Sequence, residues 1–343
     1  MKPHIRFVNL PQHFWAAVRL ISEEVGYSHG PLVVSEITRV LTTIEVRLPV
    51  RPAAGVQQPW SLRQQNGKTW LVHAGPPSAQ SRDVMRALDP RHRKGWNTAV
   101  DALFDRSSKR AWLHANWCSD QGSMVEVVCE YLNYRQTCLK QIEHLLMDKK
   151  RAKAAFDALK AKLRWTGRVA QNKQKGDKAG PAYLTGIVNM LVQSNIGTAT
   201  FDKDPQSLTT FTRDGCPVRT LTRRLDGAFP STVNPIAVWE IKEYYNSKTF
   251  GSRVAGGVYE TILDGIELKE LRDSEGVHCR HYIFVDDHHT WWNQGRSYLC
   301  RFIDALHLGY ADEVLFGREV LDETPRLAKE WVALHKARLD MTK

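Results

Sequence analysis

The sequence predicts an α/β protein: a central mixed β-sheet flanked by helices, preceded by a mixed, largely helical N-terminal region. Three observations carry this reading. In the second half, short apolar runs such as YIFV at 282–285 alternate with longer stretches whose apolar residues recur at helical spacing. The chain is 42% hydrophobic with 11 Trp, enough to fill a core. Its 343 residues suit two compact domains, or one large domain with additions.

The elements follow in order. A helix is expected over 11–25, where Phe14, Val18 and Ile21 share a face and Pro11 suits a helix start. Residues 35–41 suit another helix, 42–48 alternate as a strand does, and 51–70 read as turn-rich. A long helix over 123–146 carries a stripe of Val127, Val128, Tyr131, Leu132, Ile142 and Leu145. An apolar helix is expected over 184–192, then strands over 208–212 and 218–225. A loop over 227–235 leads to a strand over 236–245. The remainder reads as a helix over 253–271, a strand over 282–285, a helix over 297–308 and a strand over 313–316. Thr324-Pro325 reads as the cap and first turn of the last helix. No internal repeat is visible.

Lys and Arg number 48 against 37 Asp and Glu, a net charge of +11, and the isoelectric point is near 9.4. Such a surplus favours a polyanionic partner, nucleic acid or an anionic membrane surface. No apolar run approaches the roughly 18 residues that a bilayer span needs. Pro3, Arg6, Pro11 and His13 interrupt the start where a secretory signal would be apolar. A membrane partner is therefore not expected. Cys118, Cys129, Cys138, Cys216, Cys279 and Cys300 form no Cys-x-x-Cys pair, the usage of reduced thiols in a cytosolic chain.

The charge is concentrated. Residues 149–178 hold 11 basic side chains against Asp157 and Asp177, a net +9, and the other 313 residues carry +2. Ala152, Ala155, Phe156, Leu159 and Leu163 make the first half an amphipathic helix; the second half, QNKQKGDKAGP, is a loop. The segment reads as an arm that contacts phosphates, with a solvated helix face and connector as the plain alternative.

One constellation carries chemistry. Asp226 is expected to end the strand VRTLTRRLD, with Glu240 fourteen residues on and Lys242 two after that. Side chains at i and i+2 of a strand share a face, so Glu240 and Lys242 point together, in line with Ile236 and Val238. A hairpin through 227–235 would bring Asp226 to them. Two carboxylates and the main-chain carbonyl of Ile241 are hard ligands suited to Mg2+. Such an ion neutralises a phosphodiester and activates water, while the Lys242 ammonium steadies the growing negative charge.

Asp226 followed by Glu240-Ile241-Lys242, set among strand, turn and helix in this order, resembles the PD-(D/E)xK nuclease superfamily, most closely its type II restriction endonucleases. The resemblance covers about residues 180–320. Leu225 stands where the family signature has proline. It implies a restriction-endonuclease-like core over 181–343 and a Mg2+-dependent, sequence-specific double-stranded DNA endonuclease, with Mn2+ as a substitute ion. Asp226, Glu240 and the Ile241 carbonyl would hold metal and Lys242 would assist water. The acid that the family often carries on a preceding helix is absent from LTGIVNMLVQ, which leaves Glu126, with Glu130 one turn on. Residues 1–115 would serve recognition or accessory roles, and 116–180 would be a helical segment with the basic arm. Lys173, Lys175, Lys178, Lys248 and Arg253 would meet DNA phosphates. The family also implies a homodimer on symmetric sites, a prokaryotic cytoplasm, and a place in restriction-modification and phage defence. Two alternatives stand beside it: a structure-specific repair or recombination nuclease of the same fold, and a non-catalytic DNA-binding protein.

Other motifs have plainer readings. His278, His281, His288 and His289 near Cys279 suit a polar loop better than a zinc site, and His114 with Cys118 lacks a second pair. Gly251, Gly256 and Gly257 lack the Gly-Lys-Ser/Thr of a phosphate loop and suit close helix packing. Trp239, Tyr244 and Tyr245 read as core. Trp291-Trp292 in a polar loop offers one ring to DNA or a second subunit.

Replacing Lys173, Lys175 and Lys178 together with Ala is expected to weaken binding to all duplexes alike. Each lost phosphate contact flattens the slope of log affinity against log salt by about 0.9. The preferred site should not change, since phosphate contacts position and base contacts specify. Fluorescence anisotropy across a salt series checks both; an unchanged slope would make these lysines solvated connector charge.

Overall fold

The computed structural model describes residues 1–27, 29–37, 46–49, 60–65, 68–73, 122–172, 180–245 and 251–341, with backbone alone for 46–73. The chain divides into two compact units, Pro11–Tyr134 and Met1–Leu10 with Arg135–Lys343. That division follows contacts, whereas the sequence divides the chain by charge and role at 115 and 180.

In the first unit, helix α1 (Gln12–Val25) buries Phe14, Trp15, Val18 and Ile21. Phe14 and Trp15 meet Tyr131 edge-on at 5.7 and 5.2 Å; Tyr131 lies on α2 (Gly122–Leu145). Strands β1 (Val46–Pro49), β2 (Trp60–Gln65) and β3 (Lys68–His73) form an antiparallel sheet in the order β1-β3-β2. The stretch expected to be turn-rich thus holds a strand and the start of its partner. Thr69, Trp70 and Val72 are strong strand formers, and β3 pairs with the polar Ser61–Gln65 run.

The second unit takes up α2 at Arg135, whose buried guanidinium forks onto Asp304 at 3.0 and 3.1 Å. Met1 joins the same unit by exchanging backbone hydrogen bonds with Val314, at 2.7 and 3.0 Å. Helix α3 (Lys149–Lys162) is capped by Asp148, whose Oδ1 accepts from the Arg151 N–H at 2.8 Å. It buries Ala152 and Phe156 toward α4 (Tyr183–Asn195) and leaves its lysines exposed. Between them Gln171 bridges Pro181; Lys173, Lys175 and Lys178 lie outside the described residues.

A hairpin of β4 (Thr210–Arg213) and β5 (Cys216–Thr220) follows. Then come β6 (Gly227–Phe229), β7 (Ala237–Glu243), α5 (Ser252–Glu275), β8 (Arg280–Asp286), α6 (Arg296–His307), β9 (Glu313–Phe316) and α7 (Glu319–Met341). The four strands order as β6-β7-β8-β9, with β6 antiparallel to β7 and the rest parallel. This is the mixed, helix-flanked sheet that the periodicity predicts.

Alternation along β7 separates two cores. Ala237, Trp239 and Ile241 join the cluster with α3, α4 and α7, where Trp239 stacks on Trp331 at 5.1 Å between ring centres. Val238 joins Leu268 and Leu271 of α5 instead. Ile236, expected on the Val238 face, lies before the strand begins and packs with the Trp239 cluster. Two further expectations change. Strand β5 stops at Thr220, so Asp226 does not end it; Asp226 stands at the entrance to β6. The last helix begins at Glu319, not Thr324, because Glu319 and Asp322 suit a helix N-terminus and Pro325 is carried inside.

Gly227 explains how β6 fits. A Cβ there would lie 2.0–2.3 Å from the Trp239 indole. Gly227→Ala is therefore expected to destabilise the fold by about 1–3 kcal/mol or more through overpacking, read as a lower midpoint in chemical denaturation. An unchanged midpoint would mean that the indole moves freely.

Candidate active site

The β6–β7 register pairs Gly227 with Trp239, so Asp226 comes opposite Glu240 one step beyond the ladder. The Asp226 N–H donates to the Trp239 carbonyl at 3.1 Å, and the Asp226 Oδ2 accepts from the Ile241 N–H at 2.8 Å. A residue in an antiparallel ladder sends its N–H and C=O to the same side. The Ile241 carbonyl therefore faces the edge on which Asp226 stands. Glu240 and Lys242 lie on the α5 face, fully buried and 5% exposed, with the Lys242 Nζ donating to Glu240 Oε2. The three residues that the sequence singles out are brought together.

The sequence reading missed two partners. Arg223, in the irregular link before Asp226, sets its Nη1 2.9 Å from Glu240 Oε1 and pairs with Asp264 of α5. Its Nη2 is 3.4 Å from Glu240 Oε2 and 3.6 Å from Glu260 Oε2. Thr222 ties the same link to Glu267 through its N–H and hydroxyl, at 3.2 and 3.0 Å. The available signal was the charged stripe Glu260, Asp264, Glu267 within a buried helix. Burial alone would raise the Glu240 carboxyl, but Lys242 and Arg223 outweigh it and hold the group below its ordinary value. Burial would lower Lys242, and Glu240 with Asp226 outweigh that, so the ammonium is held above its ordinary value. Asp264 has no such surplus of cations: burial, then the Glu240 charge, push it up to about 7.

A second set of acids lies at the carboxyl ends of β7 and β8. Glu243 accepts from the Leu184 N–H at 2.8 Å and the Thr185 hydroxyl at 2.9 Å, capping α4 from across the layer. Asp286, its register partner, accepts from the Tyr245 hydroxyl, the Met147 N–H at 2.7 Å and the Asp287 N–H at 2.9 Å. A π-helical turn, His289–Gln294, follows and buries Trp291, whose Nε1 donates to the Lys242 carbonyl at 3.3 Å.

Comparison with known proteins places this geometry within a family. Residues 147–331 match the family described as "Domain of unknown function (DUF7687)", more than half of the chain. The chain belongs to that family. The DUF7687 segment opens at Met147, which binds Asp286, and closes at Trp331, which stacks on Trp239. It therefore encloses the basic helix α3 and every residue of the site. Residues 1–43 match a second domain of unknown function, DUF7690. No curated protein and no solved structure matches the chain.

Other expected residues fall elsewhere. Glu126 is exposed on α2 in the Pro11–Tyr134 unit; within the unit that holds the site, the helix-borne acid beside Glu240 is Asp264, from the helix after the strand. Lys248, His114 and Cys118 lie outside the described residues. Arg253 is exposed in the first turn of α5. Gly257 leaves room for the site: a Cβ there would lie 2.7 Å from the Tyr244 hydroxyl and 3.9 Å from the Lys242 Nζ. His281 and His278 have partners of their own. His281 is buried and its Nδ1 pairs with the Tyr310 carbonyl at 2.7 Å, while His278 sits 3.4 Å from Asp312. Among the described residues no three or more His, Cys, Asp and Glu side chains are arranged to hold a metal. Trp291 is core, and Trp292 is covered on one face by Arg296 at 4.3 Å.

Asp286 makes the fold sensitive to pH. Burial pushes its carboxyl from 3.8 up to about 7, against the hydrogen bonds of Tyr245 and Met147 and with Asp287 adding in the same direction. The folded state binds this proton more tightly than the unfolded chain, so the stability it contributes is fully present below pH 3.8 and is lost as pH rises through 7. Asp286→Asn, which keeps the shape, should gain stability relative to wild type between pH 5 and pH 8. Thermal melts at both values check this; a constant difference would contradict it.

Proposed function

We propose that the chain is a metal-dependent endonuclease acting on double-stranded DNA, similar in its site to type II restriction enzymes. The observation that carries the reading is the placement of Asp226 against the Ile241 N–H, between Glu240 and Lys242 on a single buried strand. Burying an acid and an ammonium under a helix is costly, and packing alone gives no reason for it.

Mg2+ fits the residues present. Glu240 Oε1 is buried and faces the Arg223 Nη1 at 2.9 Å, a cation whose place a bound ion would take. Asp226, Glu240 and Asp264 offer three carboxylates against the two cations Arg223 and Lys242. Asp226, Glu240 and the Ile241 carbonyl would hold the ion, a set of two acidic side chains and one main-chain oxygen. When bound it would neutralise charge on the scissile phosphate and acidify a water. Lys242, kept protonated by its neighbours, stabilises negative charge that builds on the phosphate oxygens. The exposed lysines of α3 supply sequence-independent attraction to the duplex. Action as a homodimer on a symmetric site belongs to the same proposal.

One observation favours a second reading, a non-catalytic DNA-binding protein: both Glu240 oxygens already face a cation, Arg223 on one and Lys242 on the other. Plasmid cleavage in Mg2+ separates the two. Asp226→Ala, Glu240→Gln and Lys242→Ala should each lower cleavage about 10²-fold or more while leaving duplex binding near wild type. Wild-type protein that binds but never nicks, in Mg2+ or Mn2+, would favour the second reading.

A further inference from the structure

We propose that Arg223 is a latch on the metal site: it holds Glu240 while no divalent ion is present and withdraws to Asp264 and Glu260 when one binds. The inference rests on the metal-dependent reading above and adds a positioning residue to it.

Three features point this way. Of the two cations on Glu240, Arg223 is the one open to solvent, its side chain 26% exposed against 6% for Lys242. It sits in the irregular link between β5 and β6, where no ladder fixes its backbone. Its guanidinium spans two sets of acids, Glu240 on the sheet and Asp264 with Glu260 on α5. The fork can release Glu240 and keep both α5 partners, so leaving costs it no stranded charge. Thr222, anchored to Glu267, limits the motion to the side chain. Lys242 cannot take this part, because it is enclosed beside Glu240 and Gly257.

The latch and the ion compete for one carboxylate, which sets the test. Mn2+ binding is measured by calorimetry on the full chain, with melting points in Mn2+ and in chelator, for wild type, R223Q, E260Q and the double variant. R223Q removes the competitor and should tighten Mn2+ binding roughly tenfold. Its melting point should fall in chelator and recover in Mn2+. E260Q removes the outer anchor, which lies on the surface, and should weaken Mn2+ binding a few-fold with little change in stability. In the R223Q background E260Q should have almost no effect, since the anchor then has nothing to hold.

If R223Q binds Mn2+ as wild type does, or loses equal stability with and without it, the latch is wrong and Arg223 is structural. An E260Q effect that persists undiminished in the R223Q background also overturns it, leaving a through-space charge effect. Mn2+ binding abolished by Glu240→Gln in these same cases keeps the metal site while the latch falls. If neither wild type nor R223Q binds Mn2+, the metal site falls, and the latch with it.

Discussion

Keeping Glu240 and Lys242 charged beneath α5 is the constraint on which this unit is arranged. An isolated carboxylate or ammonium there would cost several kcal/mol, so the surroundings supply opposite charge at close range. Arg223 and Asp264 complete the arrangement, and Thr222 with Glu267 fixes the link that delivers Arg223. Helix α5 must come close enough to cover the pair without filling its space. Gly257 serves that end, opposite Lys242. Gly265 serves it too, where a Cβ would lie 2.2 Å from the Tyr310 carbonyl.

The opposite face of the same strand does the ordinary work of packing. Trp239 stacks on Trp331, and Phe229, Tyr282 and Phe284 complete an aromatic layer beneath α4 and α7. A strand with one charged and one aromatic face cannot slip by one residue, because the slip would place Trp239 among the ions and Glu240 in the aromatic layer. The register that brings Asp226 opposite Glu240 is thereby held by side chains outside the proposed site.

The basic helix connects to this strand through contacts inside one unit. Phe156 of α3 packs where Gly186 of α4 offers no side chain, a Cβ there falling 2.5 Å from the ring. The first turn of α4 is in turn capped by Glu243, two residues beyond Ile241. Phosphate contacts on α3 would therefore be made from a support continuous with the site, as the proposed nuclease would require.

Local chemistry was legible in the sequence. Period two in IAVWEIKEYY located β7 and set Glu240 and Lys242 on one face; helical spacing located α1, α2, α3, α5 and α6; the charge count located the basic helix. What the sequence could not determine depends on elements distant in the chain. Read by itself, VRTLTRRLD is a strand candidate that Asp226 ends. Leu221 and Leu225 instead bury themselves against Leu268 and Leu271, which breaks the strand and turns Arg223 toward Asp264. Asp264 escapes a reading by sequence order, because helix order along the chain says nothing about which helix covers a strand. The covering helix comes after β7, because a parallel β7–β8 pair needs a crossover and α5 is that crossover. Residue spacing thus determined which side chains share a surface of one element, while tertiary packing alone decided which second element closes over that surface and with what charge.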